Sequence, residues 1–281
     1  MNTLQQALSD GKQQLENQGI KDAALDAWLL LEYVCKINRS YYYVHMEEWM
    51  TEENQKEYDQ LIRQRGSHIP LQQLTHQTWF MGIPFYVNEH VLVPRQDTEC
   101  LVEEVLKRTQ RAKRILDMCT GSGCILLSIL HMCNQKKQKI TGIGADISEE
   151  ALTVARRNAT DLQLDAEFVK SDLFLEITGT YDIIVSNPPY IPTRNLAELM
   201  EEVKEHEPEI ALDGKEDGLH FYRRIVLDAA SFLRTGGWLC LEIGYDQGES
   251  VKGLLNQAGY SNIQIVNDLS GLHRVVLGQW K

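Results

Sequence analysis

The sequence predicts an α/β protein with a mostly parallel sheet over its C-terminal two-thirds, preceded by a small helical bundle and a β-hairpin linker. Three observations carry this expectation. From Arg114 onward, strand-like and helix-like segments alternate, as they do when helices connect parallel strands. A glycine turn at Gly121 and Gly123 separates an apolar run at 115–118 from another at 125–130, which reads as strand, turn, helix. A further apolar run at 181–186 stops in Asn187-Pro188-Pro189-Tyr190. Two consecutive prolines lack N–H donors and fix φ, so this segment cannot continue as helix or central strand.

Residues 1–78 carry helical periodicity and no strand signal, and are expected to form the bundle. Within 21–37, Leu25, Trp28, Leu29 and Tyr33 share one helical face, with Asp22 as a candidate N-cap. Thr51 can cap a helix through Tyr58, Leu61 and Ile62 that stops at Gly66, and Pro70 prevents its resumption. Alternation from Thr78 to Val93 around Gly82 predicts a β-hairpin, placed as a linker at 79–93. Asp97 or Thr98 then caps a helix carrying Leu101, Val102, Val105 and Leu106. The last domain is expected at 94–281, ending in two strands, 263–266 and 274–277, that can pair antiparallel.

Candidate chemistry collects at strand ends. Cys119-Thr120-Gly121-Ser122-Gly123 lets the backbone approach a ligand closely. It lacks the third glycine of a dinucleotide fingerprint, and no Gly-Lys-Ser/Thr follows to cradle phosphates. Asp146 ends the next strand about 20 residues on, the spacing at which a carboxylate meets ribose hydroxyls. Asp146 could instead cap a helix, although Ser148 can also fill that role. Asp172 and Leu173 follow a third strand. The Asn-Pro-Pro-Tyr turn offers an amide, free carbonyls and an aromatic face, suited to gripping a planar amide or amine by two N–H donors.

With these motifs at the ends of four successive strands, the chain resembles the S-adenosylmethionine-dependent methyltransferases that act on amino or amide nitrogens. Segments 91–99 and 207–219 are similar to those of the glutamine methyltransferases that modify peptide-chain release factors. The resemblance implies a seven-stranded, Rossmann-like sheet with a terminal antiparallel hairpin. It also implies S-adenosylmethionine lying over Cys119, Thr120, Gly121, Ser122 and Gly123, with Asp146 on the ribose and Asp172 and Leu173 bordering the adenine. Asn187 would sit between cofactor and substrate. Asn187 and Pro188 would accept the two N–H bonds of a glutamine amide, with Pro189 and Tyr190 against its flat face. The implied substrate is the glutamine of the Gly-Gly-Gln loop in release factors, in translation termination, chosen by the N-terminal bundle. Gln96, Cys119, Leu173 and Lys215 depart from the family's common residues, which are proline, glycine, tryptophan and glycine.

Composition narrows the alternatives. The formal net charge of −12 disfavours non-specific grip on a nucleic-acid backbone and suits a basic protein partner. It argues against an adenine methyltransferase of nucleic acids; glutamine methylation of a ribosomal protein remains open. A silent methyltransferase-like binding module is disfavoured by the intact turn and ribose acid. The six cysteines form no Cys-x-x-Cys pair and no histidine cluster accompanies them, so no metal site is expected. No apolar run spans a bilayer, and the N-terminus lacks a signal-peptide pattern. The expectation is a cytoplasmic monomer that binds neither nucleic acid nor membrane.

Overall fold

The computed structural model describes residues 1–281 and divides into two compact units. One unit is Met1–His76 together with Met200–His206; the other is Gln77–Leu199 together with Glu207–Lys281. The sequence reading, which placed all of 94–281 in one domain, did not anticipate that residues 200–206 join the helical unit.

The helical unit contains α1 (Leu4–Asn17), α2 (Ala23–Cys35), α3 (Arg39–His45), α4 (Glu52–Gly66) and α5 (Leu71–Thr75). Thr3 and Gln6 form a reciprocal capping box on α1, and Thr51 Oγ1 accepts the Asn54 N–H at the start of α4. Asp22 precedes α2 but makes no side-chain cap. The buried face of α2 runs through Ala23, Ala27, Leu30, Leu31 and Val34, whereas Leu25 is 49% exposed. Three consecutive leucines at 29–31 blur the apolar stripe, and small alanines mark the close approach of α1 and α4 better than bulk does. Inside this unit Arg65 Nε donates to Asp26 Oδ2 at 2.7 Å, and Arg65 Nη2 reaches Glu202 on the inserted segment.

The second unit opens with β1 (Gln77–Phe80) and β2 (Ile83–Tyr86), an antiparallel hairpin around Met81 and Gly82. It ends earlier than the 79–93 linker read from the alternation. Then follow α6 (Glu99–Leu106), β3 (Arg114–Met118), α7 (Cys124–Gln135), β4 (Thr141–Asp146), α8 (Glu149–Asp161), β5 (Ala166–Lys170) and β6 (Tyr181–Ser186). After α9 (Glu201–His206) of the inserted segment come α10 (His220–Phe232), β7 (Leu233–Glu242), α11 (Gly248–Gln257), β8 (Ser261–Asn267) and β9 (His273–Gln279). A short 3₁₀ turn at Gln96–Thr98 leads into α6, so neither Asp97 nor Thr98 caps it by side chain.

The strands form one seven-stranded sheet in the order β5-β4-β3-β6-β7-β9-β8. Its first five strands are parallel; β9 runs antiparallel to both β7 and β8. Successive residues on the central strands alternate between two buried layers: Ile183 and Val185 pack with α6 and α7, while Ile184 packs with α10 and α11. The strand order reverses between β3 and β6. There the connections leave in opposite directions and open a crevice at the strands' C-terminal ends.

Candidate active site

The crevice is a cleft of about 350 Å³ inside the second unit. Its floor is the loop between β3 and α7. Gly123 there has φ 78°, a left-handed conformation that glycine adopts without steric cost. Thr120 Oγ1 donates to the buried Asp117 Oδ2 at 2.6 Å, and the Thr120 N–H reaches Ala145 O at 3.0 Å. Asn158 on α8 ties the loop to the hairpin, donating to both Ser122 O and Tyr86 O while accepting from Tyr86 N.

Asp146 stands at the end of β4. Its Oδ2 accepts the Gly121 N–H at 2.9 Å and its Oδ1 the Ser148 N–H at 3.0 Å. Burial raises its pKa and these backbone donors oppose the rise. Ser148 caps α8 by accepting the Ala151 N–H, which leaves Asp146 facing the cleft. Asp172 and Leu173 form part of the wall, and Arg224 of α10 pairs with Asp172 at 3.0 Å. Arg224 carries no motif in the sequence; only the packing of α10 brings it here.

Asn187 is half-buried just past β6 and lines the cleft with Pro189. Cys119, Thr120, Gly121, Ser122, Asp146, Asp172 and Leu173 line it as well. Gly123, Pro188 and Tyr190 do not. Gly123 turns away to begin α7, and Pro188 is buried. Tyr190 packs partly buried on the α10–α11 side of the core, where burial pushes its hydroxyl up to about 12. Its carbonyl accepts from Gln247 Nε2 at 2.9 Å.

The two segments flanking this turn meet at the site. Arg95 Nη2 donates to the buried Glu207 Oε2 at 2.6 Å, joining 91–99 to 207–219. Ile191 exchanges backbone hydrogen bonds with the same stretch: its N–H donates to Leu212 O, and its carbonyl accepts from Gly214 N–H. A Cβ on Gly214 would lie 2.7 Å from the Tyr190 carbonyl carbon, so only glycine fits against the turn. Of the four departures from the family's common residues, Cys119, Leu173 and Lys215 have φ of 59°, 50° and 69°. The backbone of each is thus held in a left-handed conformation that costs a residue with a side chain roughly 1 kcal/mol or more.

The donor set fits a nucleoside with a polar tail. A carboxylate with lone pairs to spare suits a diol, the wall at Leu173 and Ile147 suits a flat base, and a Cβ at Gly121 would meet open space. This sheet, with its glycine loop, ribose-spaced acid and Asn-Pro-Pro-Tyr turn, defines a Rossmann-like methyltransferase.

Comparison with known proteins agrees and goes further. Residues 6–75 match the PrmC N-terminal domain, and residues 95–206 match the methyltransferase small domain. The release factor glutamine methyltransferase of Moorella thermoacetica is 41% identical over 281 residues, covering 98% of both chains. That of Geobacter sulfurreducens is 36% identical over 278 residues, covering 99% of this chain and 96% of its own. Among solved structures, the hMettl16 catalytic domain superposes with a TM-score of 0.54 at 17% identity, covering 70% of this chain and 75% of that one. The 16S rRNA methyltransferase RsmC of T. thermophilus gives 0.50 at 17%, covering 73% and 50%. These last two share the fold. The chain belongs to the family of release factor glutamine methyltransferases.

Proposed function

We propose that this enzyme transfers a methyl group from S-adenosylmethionine to the side-chain amide nitrogen of the glutamine in the Gly-Gly-Gln loop of release factors. The observation that carries the reading is Asn187 lining the same cleft as the glycine loop and Asp146, in a chain whose relatives match it end to end. When bound, S-adenosylmethionine supplies an electrophilic methyl group on a sulfonium.

The protein's own contribution is binding and alignment. Cys119 to Ser122 and Asp146 would hold the cofactor's amino-acid and ribose parts, and Asp172 and Leu173 would border its base. An amide nitrogen is a weak nucleophile because its lone pair is shared with the carbonyl. Asn187 Oδ1 and the Pro188 carbonyl would accept its two N–H bonds and so orient the nitrogen for methyl transfer. Both hydrogen bonds strengthen as positive charge develops on nitrogen, so they stabilise the transition state more than the ground state. Pro189 flanks the flat amide, and Tyr190 braces the turn beneath it. The proton leaves after transfer, when the nitrogen has become strongly acidic.

The helical unit selects the partner, and the chain's net negative charge speeds encounter with a basic one. No helix is long and apolar enough to cross a membrane, which is compatible with work alongside the translation apparatus in the cytoplasm.

The test is methyl transfer from labelled S-adenosylmethionine to purified release factor, read by peptide mass spectrometry. One methyl on the loop glutamine, absent when that glutamine is alanine, is expected. Label on ribosomal protein or nucleic acid instead would overturn the substrate. Asn187→Ala should abolish transfer with cofactor still bound; full turnover in that variant would remove the mechanism.

A further inference from the structure

Glu242 ends β7, and strand register sets it beside Asn187. Ser186 on β6 pairs with Leu241 on β7, so the next residue of each strand stands at the same level of the sheet's C-terminal edge. Glu242 is only 2% exposed, and its Oε2 is buried with no hydrogen bond formed. The Thr98 hydroxyl and the Asn187 amide approach it as hydrogen-bond donors. Its neighbours Leu241 and Ile243 are fully buried and apolar. A carboxyl in such a place costs stability unless paired, and a leucine would pack there without that cost. Packing therefore does not account for the acid.

We infer that Glu242 is a positioning residue that sets which way round the Asn187 amide sits, and so whether the substrate nitrogen meets an acceptor. This rests on the role given to Asn187 above. An asparagine amide presents an acceptor oxygen on one arm and two N–H donors on the other. The reacting substrate nitrogen carries only N–H groups toward the site, so Oδ1 must face it. Ionised Glu242 is an acceptor only; it takes a hydrogen bond from Asn187 Nδ2 and leaves Oδ1 outward. Protonated Glu242 carries an O–H that donates to Oδ1 and favours the reversed amide, whose NH₂ group repels the substrate.

The groups around Glu242 come from several elements. Asp97 precedes Thr98 in the turn before α6, and Arg274 on β9 is held by Asp97 at 3.2 Å and Asp268 at 3.0 Å. Tyr190 flanks the turn, Cys124 begins α7, and Tyr222 on α10 donates its hydroxyl to the Glu242 main-chain oxygen at 2.8 Å. Burial raises the Glu242 carboxyl to about 7, against Thr98, Arg274 and Asn187 and with Asp97. Burial also pushes the Tyr190 hydroxyl and Cys124 thiol up to about 12 and Tyr222 well above its usual range, so none of these three titrates near neutrality. Asp117, also near 7, lies on β3, two strands from β7.

The test follows the side-chain amide resonances of Asn187 in ¹⁵N-asparagine-labelled free protein from pH 6 to 8.5, assigned by their loss in Asn187→Ala. In wild type they should shift with a midpoint near 7, and in Glu242→Gln that titration should vanish. Glutamine has the carboxylic acid's shape with both a donor and an acceptor, so it stands in for the protonated form. Correspondingly, the single-turnover transfer rate should rise about tenfold from pH 6 to 8 in wild type. In Glu242→Gln it should stay flat near the acid value, with cofactor affinity unchanged. Asn187 resonances that ignore pH in wild type, or that titrate equally in Glu242→Gln, would overturn the inference. Failure of wild type to methylate a release factor would overturn the substrate reading alone, because the amide titration is read without substrate.

Discussion

Replacing Asp117 by asparagine should stabilise the protein increasingly as pH rises. Asp117 is fully buried on β3; Oδ2 accepts from Thr120, and Oδ1 has no partner. Burial pushes its carboxyl up to about 7, whereas in the unfolded chain it titrates near ~3.9. Between those values the native state holds a proton that the unfolded state has lost. A carboxyl shifted upward in this way removes stability as pH rises through the window, the reverse of a salt-bridged aspartate. From pH 6 to 8 the unfolded residue is ionised throughout, while the native one passes from about nine-tenths protonated to about nine-tenths ionised. The loss is about 1.4 kcal/mol. Glu242, with a similar value of about 7, adds a comparable loss. Asparagine keeps the shape and the acceptor for Thr120 but cannot ionise, so Asp117→Asn should lose about half of what wild type loses. Urea unfolding at pH 6, 7 and 8 measures this and stays clear of the isoelectric point near 5.2. The stability gap between variant and wild type should widen by about 1.4 kcal/mol across the window. A constant gap would refute the reasoning.

Three more perturbations probe other parts of the molecule. Asp146→Ala removes the acceptor for the Gly121 and Ser148 N–H groups and should weaken cofactor binding at least ~10-fold by calorimetry; unchanged affinity would remove Asp146 from the ribose site. Gly214→Ala places a methyl against the Tyr190 backbone and should lower turnover about 100-fold in a folded protein, since misplacing the turn misaligns the attack. Wild-type turnover there would show that the turn tolerates displacement. Arg65→Ala leaves Asp26 buried without its partner, and burial already raises that carboxyl's pKa despite Arg65. The helical unit should lose about 3 kcal/mol, seen as a lower melting temperature, whereas an unshifted melt would mean that water replaces the arginine.

The recognisable parts of this protein are those whose chemistry is local. Two prolines after an apolar run stop a strand wherever they occur, and Gly121 and Gly123 permit a tight turn because they lack a Cβ. Thr51 caps its helix through the backbone three residues on. Such features depend on neighbours in the chain, so residue order alone dictated the strand ends, the glycine loop and the Asn-Pro-Pro-Tyr turn. The buried face of α2 was less legible, because Leu25, Leu29 and Leu30 are equally apolar and only the partner helices decide which is covered.

What the sequence by itself determined was the kind of chemistry and the sheet that carries it. Tertiary structure alone decided which distant residues share the site. Arg95 and Glu207 are 112 positions apart, yet form a hydrogen bond beside the turn. Arg224 faces Asp172 only because α10 packs where it does. Residues 200–206 join the helical unit, and no pattern in their sequence announces this. Glu242 reads as the polar end of an apolar strand until the register of β6 and β7 sets it beside Asn187. Burial then raises its pKa, an effect of surroundings that no local pattern encodes.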